Sequence, residues 1–207
     1  MFLKAGLLSL MLLLASRVLG VLRETALAAA LGSSGMADVV IVMLILPDWL
    51  AGFLVSGALA YVLLPHWAKE SAAQQNTSQS RVTGRLMLMS IALAAVMCIA
   101  QAPLGALLVP GVSASLQSAA SEAVVWSALA MPAAILAGLW ATRLQHERDF
   151  VGLYSANLVV NAVLIAALVY VVWQGGGAAA GPTLGIFLLL AVALRLLWQG
   201  WRLRHLR

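Results

Sequence analysis

Apolar residues run along this chain in long blocks, broken by short segments rich in polar, glycine and proline residues. Runs of about 18 or more apolar residues read as membrane-spanning helices rather than as strands or amphipathic surface helices. The pattern predicts helices over 5–31, 36–64, 82–109, 120–142, 150–173 and 182–200. Gly32–Gly35, Pro65–Arg81, Pro110–Ala119, Arg143–Asp149 and Gln174–Gly181 are the expected connections. The expected fold class is therefore an all-α integral membrane protein, one six-helix transmembrane bundle over residues 1–207.

Composition narrows this further. The chain is 63% hydrophobic and 9% charged, where a soluble domain carries about a quarter charged residues. The longest polar stretch, Lys69 to Arg85, leaves no room for a soluble catalytic domain. Cys98, the sole cysteine, sits in an apolar run, which excludes a disulfide and a cysteine-based metal site. Lys4 followed by Ala5 to Ala15 has the look of a signal peptide. The segment continues through charged residues to Leu31, however, so the first helix is expected to be retained.

The basic residues set an orientation. The Gly32–Gly35, Pro110–Ala119 and Gln174–Gly181 connections contain no Lys or Arg, and ten of the twelve basic residues fall on the other side. These are Lys4, Lys69, Arg81, Arg85, Arg143, Arg148, Arg195, Arg202, Arg204 and Arg207. The positive-inside rule makes their side cytoplasmic, with both termini there. That placement also argues against nucleic acid as the reason for the net charge of +5. Trp67, Trp140, Trp198 and Trp201 fall at the cytoplasmic helix ends and Trp126 and Trp173 near the periplasmic ends, as an aromatic belt would place them. Trp49 falls in mid-span. Ser71 to Ser80 reads as a solvated cytoplasmic loop. Gly175-Gly176-Gly177 with Gly181-Pro182 reads as a flexible turn, since it lacks the Lys-Ser/Thr of a phosphate loop.

Candidate chemistry lies in the first two spans. A charge near the bilayer centre costs at least ~2.5–3.5 kcal/mol on insertion scales, so it faces protein or a watery cavity. The first helix carries Arg17, Arg23 and Glu24; the second opens with Asp38 and holds Asp48 directly after Pro47, which is expected to kink it. Counted from the intervening turn at ~1.5 Å per residue, Arg17 and Asp48 fall at similar depth, which predicts an ion pair between them. Two readings stay open: charges that hold two helices together, or a cationic cavity for an anionic ligand.

Ser16-Arg17-Val18-Leu19-Gly20 and Arg23-Glu24 resemble the first-helix signature of the MurJ/MviN family. The likeness continues through Gly35-Met36-Ala37-Asp38, Leu46-Pro47, Ser56-Gly57-Ala58 and Pro65, with Asn161 in the fifth span. That family comprises lipid II flippases of the multidrug/oligosaccharidyl-lipid/polysaccharide exporter superfamily. The resemblance implies translocation of an undecaprenyl-pyrophosphate-linked cell-envelope precursor across the bacterial inner membrane, in peptidoglycan biosynthesis. It also implies a two-lobed transporter alternating between inward- and outward-open states, of which this chain matches the N-terminal six-helix lobe. The positions matching cavity residues are Arg17, Arg23, Glu24 and Asp38. An arginine fork suits phosphate oxygens.

The sequence departs from the family at Ala51 and Gly52, which replace basic residues, at Ser56, which replaces a glutamate, and at Asp48, commonly Asn. Three functions follow as expectations. The first is a half-size flippase that dimerises or pairs with a separate second lobe. The second is a non-transporting membrane scaffold or partner subunit of the same ancestry. The third, a membrane-embedded enzyme, finds no catalytic or metal constellation, because His66, His146 and His205 are widely spaced at cytoplasmic ends. No cofactor is expected; the expected partners are the lipid-linked oligosaccharide pyrophosphate and the membrane lipids.

Overall fold

The computed structural model describes residues 2–32, 34–175 and 180–206, with backbone alone for 2–5 and 56–58. The connections expected at Gly32–Gly35 and Gln174–Gly181 include residues 33 and 176–179, which lie outside the described residues. The described residues form helices and no strand, and six helices are long and apolar enough to cross a membrane.

The first span is α1 (Phe2–Leu31). The second is one unbroken rod: α2 (Gly35–Ala51), a π-helical stretch over Gly52–Leu59, and α3 (Ala60–Trp67). The third is α4 (Ala72–Ile99), extended by the short α5 (Gln101–Leu108). After a 3-10 turn at Ala114–Leu116 come α6 (Gln117–His146), α7 (Phe150–Trp173) and α8 (Ala180–His205). Pro47 is buried inside α2 and the helix runs on through it. The ladder then widens, with the Ala60 N–H donating to the Val55 carbonyl five residues back. Such π turns are rare and concentrate at functional sites.

Local chemistry explains the helix ends. Gly32 stops α1 at φ +63°, a conformation that costs glycine nothing. At the start of α7, the Asp149 side chain caps the helix by accepting from the Gly152 N–H at 3.0 Å. One expectation fails here. The stretch from Ser71 to Ser80 is helical from Ala72 onward rather than a loop. Ser71 and Gln74 form a capping box, and Gln75 Nε2 donates to the carbonyls of Trp67 at 2.7 Å and Glu70 at 3.0 Å. Polarity marks where α4 leaves the membrane, not where it stops being a helix. Trp67 likewise is no belt residue: it is fully buried and its Nε1 donates to Ser78 Oγ.

The bundle is organised around α6, which packs against α2, α4, α5 and α8. Its buried positions are dominated by small residues, among them Ala120, Ala123, Ala130, Ala134, Ala137 and Gly138. Small side chains let membrane helices approach closely where no hydrophobic driving force separates lipid from protein. Ser127 Oγ donates across to the Met43 carbonyl of α2 at 3.0 Å, and Trp126 packs on Gly185 of α8. α1 stands outside this arrangement. It lies along α7 and barely meets α2, so a groove opens between α1, α2 and α7.

Candidate functional site

The groove has a volume of about 630 Å³ and collects most of the ionisable residues of the first two spans. Arg17, Arg23 and Glu24 come from α1, Asp48 from α2, and Tyr154, Asn157 and Asn161 from α7. α1 supplies Arg17 and Glu24 at a separation of seven, two turns apart on one face. Arg23 reaches the same space because its long side chain bends toward α7.

Asn161 organises the α1–α7 contact. It is buried, its Nδ2 donates to the Ser16 carbonyl at 3.2 Å, and its Oδ1 accepts from Arg23 Nη1 at 3.4 Å. Arg23 Nη2 also pairs with Glu24 at 2.5 Å. The Arg23 Nε is buried and has no partner, so this guanidinium keeps a donor to give. Arg17 is exposed to the groove and makes no ion pair among the described residues.

Asp48 is where the sequence expectation is corrected. Its carboxylate does not pair with Arg17; it accepts from Arg195 Nη1 of α8 at 2.9 Å. The depth argument holds for all three residues. At ~1.5 Å per residue, Arg17 lies ~21 Å from the end of α1 at Leu31, Asp48 ~20 Å from the start of α2 at Gly35, and Arg195 ~22 Å from the start of α8 at Ala180. Lateral packing decides among equals in depth: α6 packs along both α2 and α8 and brings them together, while α1 packs along α7. Arg195 is 14% exposed, and its Nε is a second buried donor without a partner. Arg195 thus lies deeper than the cytoplasmic rim on which the count of basic residues places it. Its place inside an apolar run, Ile186 to Trp198, was the available signal.

Two further expectations change. Asp38 is exposed in the first turn of α2 and does not line the groove. The lining is also charge-balanced, with Arg17 and Arg23 against Glu24 and Asp48. Arg195 behind Asp48 adds the excess cation. Ala51 is buried facing α6, and Gly52 begins the π stretch; neither reaches the groove. Among the described residues no three His, Cys, Asp or Glu stand close enough to hold a metal ion. His66 sits beside Glu70 at 3.2 Å, and His146 packs edge-on against Trp67.

A second charged cluster fixes the ends of α7 and α8. Asp149 takes a bidentate contact from Arg202, Nε at 2.8 Å and Nη2 at 2.6 Å, beside its bond from the Gly152 N–H. Burial pushes the Asp149 carboxyl up, but the Arg202 and Gly152 hydrogen bonds and the Arg202 charge together outweigh it. They hold the group below its ordinary value of 3.8.

Comparison with curated proteins and with solved structures returned no match. The family model described as lipid II flippase MurJ matches residues 27–204. The matched region covers Asp38, Asp48, Asn161 and Arg195; Arg17, Arg23 and Glu24 precede it and rest on the first-helix motif alone. With most of its length matched, this multi-pass membrane protein belongs to the lipid II flippase MurJ family.

Proposed function

We propose that this chain forms the cation-bearing wall of a pathway carrying an undecaprenyl-pyrophosphate-linked peptidoglycan precursor, such as lipid II, across the bacterial inner membrane. The observation that supports it is the groove itself. A chain of this family brings Arg17 and Arg23 into one open space within its spans, and Arg17 is exposed there with no ion pair among the described residues. Guanidinium groups there would meet a pyrophosphate with charge-assisted hydrogen bonds. The role is that of a transporter and not of an enzyme. Both termini face the cytoplasm in this reading, because the loop arginines and Lys69 gather at the end that carries the termini.

Alternating access requires two bundles moving against each other. The groove is bounded by α1, α2 and α7 and open opposite them. A second lobe, or a second copy of this chain, would supply the missing wall.

One observation favours a second reading, a non-transporting partner in envelope assembly. Glu24 and Asp48 already neutralise two of the three deep arginines. Complementation separates the two readings. Cells depleted of their flippase would receive the chain alone, or fused to the second lobe of a family member. The transport reading expects growth from at least one arrangement. It also expects loss of growth with Arg23→Ala at unchanged membrane level, and partial recovery with Arg23→Lys. Full growth of the Arg23→Ala variant would refute the groove as the pathway; no growth in any arrangement would favour the partner reading.

A further inference from the structure

A separate pocket of about 280 Å³ opens at the basic end of the bundle, between the first turns of α4, the end of α6 and the end of α8. Arg143 and Glu147 form one wall, Asn76 and Gln79 another, and Leu203 and Leu206 an apolar rim. Arg143 is only 8% exposed. Its guanidinium lies 5.3 Å from the Trp67 ring centroid, and its Nη2 pairs with Glu147 at 2.6 Å. Those two contacts fix its orientation and leave Nη1 buried without a partner. Gln79, also 8% exposed, has a buried Oε1 with no partner. The pocket thus offers one unsatisfied charged donor and one unsatisfied neutral acceptor. Buried polar groups are ordinarily paired, and unpaired ones are costly.

The charges of the lining narrow the ligand. There is one cation, Arg143, and one anion, Glu147. A simple anion would meet the carboxylate as well as the guanidinium, and a simple cation would meet the reverse. A ligand carrying both charges satisfies both walls. Position narrows it again. α6 has 30 residues, or ~45 Å at ~1.5 Å per residue, against a hydrocarbon core of ~30 Å. Arg143 therefore stands in the headgroup layer, one turn beyond Trp140, with Leu203 and Leu206 on the rim of the pocket.

We propose that this pocket binds the headgroup of a zwitterionic phospholipid with N–H donors, the ethanolamine-phosphate type. The phosphate accepts from Arg143 Nη1. The ammonium donates to Gln79 Oε1 and to the free oxygen of Glu147.

The test is native mass spectrometry of the full chain after exchange with equal amounts of phosphatidylethanolamine, phosphatidylglycerol and phosphatidylcholine. The ethanolamine lipid should be retained about two- to fivefold over each of the others, the range expected of partly exposed charge pairs. Phosphatidylcholine keeps both charges but has no N–H, so it isolates the N–H contacts to Gln79 and Glu147 from the charge pairing. Gln79→Leu should reduce the advantage over phosphatidylcholine, leaving only the share carried by Glu147, and leave phosphatidylglycerol unchanged. Glu147→Gln should invert the preference toward phosphatidylglycerol, an effect that loss of fold would not produce. Arg143→Gln should weaken all three; if that variant fails to insert, the other two still decide. Equal retention of the three lipids by the unmodified chain would mean a water-filled pocket and overturn the proposal, as would a preference for phosphatidylglycerol. Displacement of the lipid by soluble O-phosphoethanolamine at equal concentration would overturn the lipid assignment.

Discussion

Replacing Asp48 with Ala should strand Arg195. That guanidinium is mostly buried, already holds one unpartnered nitrogen, and has Asp48 as its ion-pair partner across the α2–α8 contact. Breaking a fully buried pair from one side costs ~3–5 kcal/mol. Asp48 is half exposed to the groove, at 51%, so water there can reach part of what is lost. About half the full penalty, ~1.5–2.5 kcal/mol, is expected. At ~2–4 °C per kcal/mol for a chain of this size, the unfolding temperature in detergent should fall by about 3–10 °C. Arg195→Ala should cost less, ~1 kcal/mol, because the surviving carboxylate can turn toward the groove. The double variant should be milder than the sum, with a coupling of ~1–2 kcal/mol in a double-mutant cycle. Asp48→Asn keeps the shape and one acceptor, so it should sit between unmodified protein and Asp48→Ala. The control is the cycle with Arg17, which should show coupling near zero. A larger coupling of Asp48 to Arg17 than to Arg195 would refute the assignment and restore the pairing expected from depth alone.

Three further outcomes can be checked. Gly185→Ala would put a Cβ 2.3 Å from Trp126 Cδ2, forcing α6 and α8 apart; thermal unfolding should show a loss of ~1–3 kcal/mol. The Asp149 carboxyl is held below 3.8 in the folded protein. Its contribution is therefore complete above that pH and lost as pH falls through the lower folded value; an acid titration of unfolding temperature should show this decline, and Asp149→Asn should abolish it. Single cysteines at Thr77 and Glu147, in a chain with Cys98 replaced, should react with membrane-impermeant reagents only from the cytoplasmic side; labelling from the periplasm would reverse the orientation.

Helix count was legible in the sequence because the bilayer reads each segment by itself. A segment long and apolar enough to span must satisfy its own backbone as a helix whatever its neighbours do, so local composition was sufficient for all six spans. Depth was legible for the same reason, since rise per residue is constant. Arg17 and Asp48 were placed at one level from counting alone, and Arg195 could have been. The boundary at Ser71 failed because polarity reports water, while the capping box and the Gln75 bonds that continue the helix depend on side-chain geometry.

Which charges meet is a different kind of question. Arg17 and Arg195 are equal candidates for Asp48 in height, and nothing local distinguishes them. The choice falls to lateral packing: α6 holds α2 and α8 side by side through its small residues, while Asn161 ties α1 to α7 by accepting from Arg23 and donating to the Ser16 carbonyl. The groove, the displacement of Asp38 from it, and the pairing of Asp48 with Arg195 all follow from that arrangement. Arg143 shows the same division. Its position on the basic end could be read from the chain, but its stacking on a buried Trp67 and its unpartnered nitrogen required α3, α4 and α6 to come together. Along a membrane helix, the sequence determines how deep a residue lies; around the helix, only the packing of neighbours determines what it faces.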